Sequence, residues 1–255
     1  MIDLNHASGF NYGNTAVQPA AVRINVLIDA ALTAERRGTP PRDYLGASRI
    51  GEPCSRRLVY EFTNTPPDDG MDFDGHALRI FAAGHVFESL AICWLRGAGF
   101  DLRTVKRDGS QFGFSTAGGK FRGHIDGVIV SGPDIGTDWP ALWESKALNA
   151  KSWNDLVKGG LALSKPLYYA QVQIYMAYMD LDRCLFTVVN KDTQEFYHEA
   201  VPFDAPHAQA MSDKAVEIIR AAEAHELPPR LAAAPDFYLC RFCPFSIRCW
   251  ESHHG

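Results

Sequence analysis

The sequence predicts an α+β fold, and three observations carry that reading. Apolar residues recur at three- and four-residue steps through the N-terminal third, a run of short β-prone segments broken by Gly, Pro and Asp follows, and helical spacing then returns around two further strands. Strands grouped in a run and followed by a helix suit α+β rather than a regularly alternating parallel sheet.

The elements follow in order. "PAAVRINVLIDAALTAERRG" starts at a proline, repeats Val22, Val26, Leu27 and Ala30 with helical spacing and stops at Gly38. In "SRIGEPCSRRLVYEF" Pro53 suits the first turn of a second helix, which places Cys54 at that turn, and "TPPDDG" closes it. From Asp74 to Arg96, Leu78, Phe81, His85, Glu88 and Ile92 share one face of a long helix. "FDLRTVKR", "GSQFGFST", "KFRGHIDGVIV" and "WPALWESKAL" read as successive strands. "NAKSWNDLVKGG" and "KPLYYAQVQIYMAYM" are helical, "RCLFTVVN" and "EFYHEAVPF" are strands, and "DAPHAQAMSDKAVEIIRAAEAHE" is a capped helix ahead of a cysteine-bearing tail.

With 255 residues the chain is long enough for one catalytic-sized domain. Residues 1–73 are read as an N-terminal helical segment, 74–230 as the core and 231–255 as a C-terminal cysteine segment. At 46% apolar and 22% charged the composition is that of a globular protein, and no membrane-spanning run is expected. "MIDLNHASGFNYGNT" has no basic region followed by an apolar stretch, so no secretory signal is expected and the reducing cytoplasm is the expected location. A net charge of -5 argues against a generally basic coat but leaves room for a local basic groove.

The chemistry concentrates in "GHIDG" and "LWESKAL", where acids interrupt apolar, strand-like runs. Residues two apart on a strand share a face, so Glu144 and Lys146 emerge together. If Asp126 ends the neighbouring strand, two hard oxygen ligands converge, which is what Mg²⁺ or Mn²⁺ needs while it keeps several waters. Such a site with a lysine beside it matches hydrolysis of a nucleic-acid backbone. Gln171 and Tyr175 lie one helical turn apart and project together. His124, beside Asp126, is a candidate ligand by residue type, and strand alternation is expected to turn it to the opposite face.

"CRFCPFSIRC" holds Cys240, Cys243 and Cys249, three thiols where a metal centre usually wants four. Cys93 and Cys184 read as small core residues. Cys54, at a helix start beside Arg56 and Arg57, is the expected fourth ligand. Spacing alone leaves zinc and a [4Fe-4S] cluster both open.

These residues together resemble the PD-(D/E)XK nucleases, and within them the RecB-like iron-sulfur exonucleases that include the small nucleases of CRISPR adaptation. The order matches: His85 on a helix before the sheet, Gly123 to Asp126, Glu144-x-Lys146, Gln171-x-x-x-Tyr175, and one cysteine before the core with three after it. Ile125 stands where the proline that names the superfamily would be.

The resemblance implies a restriction-endonuclease-like core, with a central mixed sheet flanked by helices and the two chain ends joined by a four-cysteine cluster. It implies that His85, Asp126, Glu144 and the Ser145 carbonyl hold Mg²⁺ or Mn²⁺, that Lys146 serves the attacking water, and that Gln171 and Tyr175 flank the scissile strand. It favours [4Fe-4S] over zinc on Cys54, Cys240, Cys243 and Cys249. The implied activity is metal-dependent exonucleolytic hydrolysis of DNA ends or single-stranded DNA; the alternative is a non-catalytic DNA-binding or assembly subunit of the same shape. Lys120, Arg122, Lys151 and Lys158 are expected phosphate contacts, and Trp143, Trp153, Tyr168 and Tyr169 expected stacking residues. No membrane and no particular protein partner is implied.

Overall fold

A computed structural model of the chain describes residues 19–251, so the N-terminal stretch read for a signal lies outside the described residues. The chain forms two compact units, Met1–Pro40 with Phe73–Phe81, and Pro41–Asp72 with Ala82–Gly255. In the first, α1 (Pro19–Gly38) spans the periodic stretch, and its Asp29 pairs with Arg79.

The second unit is built on a five-stranded sheet in the order β2 (Leu102–Arg103), β5 (Gly127–Ile129), β6 (Ala141–Leu148), β7 (Arg183–Asn190), β8 (Phe196–Pro202). Only the β6–β7 pair is parallel. Parallel neighbours need a long crossover, which α4 (Ala150–Ser164) and α5 (Pro166–Met179) supply. A smaller three-stranded sheet orders β1 (Leu45–Gly46), β4 (Phe121–His124), β3 (Gly113–Thr116). The fold is thus a mixed α+β arrangement of mixed sheets and flanking helices, as the sequence predicts.

Alternation along β6 and β7 separates two apolar layers. Leu142, Leu148, Cys184, Phe186 and Val188 pack with α5 and with α6 (Ala205–Glu223). Trp143 and Leu185 pack with Ala91 of α3 (Gly75–Gly97) and with Leu102 and Ile129. Trp143 is fully buried and donates from Nε1 to Thr187 Oγ1 at 3.1 Å, so the expectation that it stacks on bases is wrong.

α5 is buried through seven successive residues, Ala170 to Met176, as a helix packed on every side must be. Pro166 opens it, and Asp180 in the left-handed region ends it. The side chains of Asn149 and Asp204 cap α4 and α6, accepting from Ser152 N at 2.9 Å and His207 N at 3.0 Å.

Three local readings change. "KFRGHIDGVIV" is not one strand: the chain leaves the small sheet after His124 and enters the large one at Gly127. Gly123 is the reason the first half fits, since a Cβ there would lie 2.7 Å from the Tyr175 ring and 2.5 Å from that of Phe114. α3 is the one helix among the described residues long and apolar enough to cross a membrane, with mean hydropathy 1.4, although it carries Arg79, His85, Glu88 and Arg96 and seats Ala91 on the sheet. Cys93 on α3 is exposed rather than a core residue, whereas Cys184 is buried.

Trp143→Ala should lower unfolding stability by about 3–5 kcal/mol, measured by denaturant titration; a change within a few tenths would contradict its place in the core.

Candidate active site

The register of β5 on β6 pairs Gly127 with Trp143, so Asp126 arrives beside Glu144. Asp126 Oδ2 accepts from the Ser145 amide at 2.8 Å, which pins the crossover between the sheets to the strand carrying the second acid. Glu144 is 1% exposed. Its Oε1 accepts from Lys146 Nζ and, at 2.6 Å, from Gln171 Nε2 of α5, while Oε2 has no partner.

Burial, and then the Asp126 carboxylate, push Glu144 up to about 8, against the pull of Lys146. Burial lowers Lys146, but Glu144 and Asp126 outweigh it and hold the ammonium above its ordinary value. Tyr175 is raised by burial and by Glu144, so its hydroxyl stays protonated. The Tyr168 ring centroid lies 5.4 Å from Lys146 Nζ, a cation–π contact that faces the ammonium without neutralising it.

From α3 the structure brings a residue that the motif order did not select. His85 is 83% exposed at its side chain, with Nδ1 3.7 Å from Glu88 Oε2. Glu88 is half-buried, and its carboxyl is raised by burial and by Asp126, with His85 and Lys146 opposing. The i,i+3 relation to His85 was the available signal, since it put both side chains on one face.

The remaining candidates scatter. Lys120 pairs with Glu223, and Tyr169 donates to Asp204 Oδ2 at 3.1 Å with the His207 ring beside it. Lys151 and Lys158 are exposed on α4, and Trp153 is half-buried against the larger core. His124 and Asp126 have the same parity, so alternation does not part them; exposure alternates from Phe121 to Asp126 with both on the outer side. That overturns the expectation that His124 faces away.

The donor set suits a hard cation. A buried carboxylate oxygen without a partner, a second acid whose charge raises it, and a third on α3 are oxygen donors of the type that a hard cation takes. Among the described residues, as they stand, no three His, Cys, Asp or Glu side chains are grouped tightly enough to hold a single ion.

No protein-family model matches the chain, and no curated protein matches it. Solved structures do. An alkaline exonuclease, LHK-Exo, from Laribacter hongkongensis is similar at 16% identity and TM-score 0.51 over 78% of this chain and 93% of the other. The fold resembles that of an alkaline exonuclease. LHK-Exo in complex with dAMP is similar at 17% identity and TM-score 0.51, over 71% and 89% of the two chains.

On this exonuclease-like fold the thiols gather separately. Cys54 is the N-cap residue of α2 (Ser55–Phe62), and Cys240 closes toward it in α7 (Tyr238–Arg241), Cys243 in the following turn and Cys249 in α8 (Ser246–Glu251). All four line one cavity with Arg56, Arg57, Tyr60 and Arg230. Arg56 Nη1 lies 3.8 Å from Cys249 Sγ, and Asp68 Oδ2 accepts from Ile247 N at 2.6 Å, tying the tail to the loop after α2.

The metal-free protein should lose thermal stability as pH rises from about 5 to about 8. The folded state keeps the Glu144 proton up to about 8, whereas the unfolded chain releases it near the ordinary carboxylate value, so across that window the folded state binds more protons. Glu144→Gln should flatten the dependence; a midpoint that climbs over this range in the parent chain would contradict the assignment.

Proposed function

We propose that the chain is a metal-dependent DNA exonuclease hydrolysing phosphodiester bonds at DNA ends or in single strands. The observation that carries the reading is the convergence of Asp126, Glu144 and Lys146 at a sheet crossover, with one buried carboxylate oxygen left for a cation. The exonuclease-like fold supports it, and the dAMP complex of LHK-Exo supports DNA as the substrate class.

Asp126, Glu144 and the Ser145 carbonyl would hold Mg²⁺ or Mn²⁺, with Glu88 taking from α3 the place that the resemblance gives to His85, whose side chain is 83% exposed and lies 3.7 Å from the Glu88 carboxylate. The bound cation would offset charge on the phosphodiester oxygens and activate water for in-line attack. Lys146 keeps its proton, so its role is to orient water and stabilise developing negative charge rather than to act as a base. Gln171 fixes the Glu144 oxygen that does not face the cation. Tyr175, protonated and hydrogen-bonded to Gln171, is 2% exposed, so it would hold Gln171 in place rather than flank the scissile strand as the resemblance implies.

The four thiols would hold a [4Fe-4S] cluster, with zinc as the alternative occupant. Their convergence from both ends of the second unit on one cavity supports a clasp that limits the unfolded chain. The surrounding arginines offset the charge that thiolates would bring.

Lys146→Ala should reduce cleavage of end-labelled single- and double-stranded DNA in Mg²⁺ or Mn²⁺ by about 10²-fold or more, with the circular dichroism spectrum retained; undiminished cleavage would falsify the assignment. Labels on separate 5′ and 3′ ends report polarity in the same assay. For the clasp, anaerobically purified protein should contain iron and sulfide, and Cys54→Ser should lose both and melt earlier. Stoichiometric zinc with no sulfide would replace the cluster by a zinc clasp and leave the nuclease reading standing.

A further inference from the structure

The strand leading to Asp126 carries, on the same side as that acid, side chains that hydrolysis does not use. In β4, Phe121 and Gly123 are buried, as is Ile125 beyond it, whereas Arg122, His124 and Asp126 reach the surface. Extended chain spaces members of such a row about 6.6 Å apart. β1 sets Gly46 beside Arg122, and β3 sets Ser115 beside Arg122 and Gly113 beside His124, so small residues flank the row and leave it open.

Tyr44 and Arg42 complete the row from the segment entering β1. A Cβ on Gly46 would lie 3.4 Å from Arg42 Nη1, so that guanidinium lies over the glycine on the same face. The Tyr44 ring has Arg122 Cζ 4.9 Å and Arg42 Cζ 5.9 Å from its centroid, with the His124 ring edge-on at 6.4 Å. Asp43 meets Arg122 at 3.7 Å from a side chain 78% exposed, and among the described residues Arg42 has no carboxylate partner. Arg122 is answered by Asp43 and donates from Nε to Gly119 O at 2.7 Å, so the Arg42 guanidinium on the same partly exposed ring is the charge left to attract an anion. As a device for stability the cluster is poor; as a receptor for phosphate with a stacking surface it is well composed.

We propose that Arg42, Tyr44, Arg122 and His124 form a track for a single nucleic-acid strand leading to the phosphate at Asp126. Arg122 and Arg42 hold successive phosphates, His124 contacts the phosphate next to the scissile one, and Tyr44 stacks an unpaired base. The occupant is single-stranded because only an unstacked base reaches the Tyr44 face. The track rests on the nuclease reading and adds where the strand runs.

The test uses the full chain carrying Lys146→Ala, and a fluorescent oligodeoxythymidine strand titrated by anisotropy at several salt concentrations. Arg42→Glu, at an exposed side chain outside the strand pairing, should weaken binding about ten-fold and flatten the log–log salt slope by about 0.7 for each phosphate no longer neutralised. Tyr44→Ala should weaken binding about five-fold or more with the slope unchanged, Tyr44→Phe should restore it, and duplex of equal length should be insensitive to the Tyr44 change. Unaltered affinity and slope in Arg42→Glu, while the parent binds and the protein with Lys146 intact cleaves, overturns the track and leaves the nuclease reading in place. Equal weakening on duplex and single strand for Tyr44→Ala also overturns it. A wild-type protein that neither binds nor cleaves DNA removes the nuclease reading and the track with it.

Discussion

One carboxylate taken out of water sets the terms for the second unit. Burial disfavours the charged form of an acid unless charge and hydrogen bonds answer it, and Glu144 receives both on one oxygen, from Lys146 and Gln171. Its other oxygen is left bare, and Asp126 sits close enough to raise it further. Without further positive charge such a site holds its acid protonated up to about 8. The strain is local, and the apolar layers on both faces of β6 and β7 offset it.

That single requirement reaches outward through the packing. α5 brings Gln171 to Glu144 from the stretch Ala170 to Met176, which is buried all round because α4, α6, β3, β6, β7 and the turn after β1 all pack against the helix. Asp126 must arrive from the other side, and it does so where the chain changes sheets, between two glycines whose neighbours leave no room for a Cβ. α2 packs against α6, which packs against α5, and Lys214 of α6 donates to Ile50 O at 3.0 Å, so the helix that starts after Cys54 is joined through α6 to the helix carrying Gln171.

Much of this was legible in the sequence. The class of the fold, the helices from Pro19, Ser55, Gly75, Pro166 and Ala205, and the pairing of Glu144 with Lys146 follow from periodicity, because a period of two or of 3.6 residues is a local property. Residue type and flanking charge singled out Cys54, and the structure sets it in the lining of the same cavity as the tail thiols. What periodicity misled about is equally specific. Trp143 looked like an aromatic beside an active site, and Lys120 like a free cation. One fills the layer under α3 and the other pairs with Glu223, a residue 103 positions away.

By itself the sequence determined which side chains share a face, where the helices start and stop, and that acids, a lysine and thiols occur in chemically suggestive spacing. The tertiary structure alone decided that the "GHIDG" run divides between two sheets, that Glu88 rather than His85 is the half-buried member of the α3 pair, and that Arg42 and Tyr44 meet Arg122. Those outcomes depend on which distant surfaces cover a residue and on the charge those surfaces carry. Burial and field are sums over neighbours, and a pattern within one segment has no access to them.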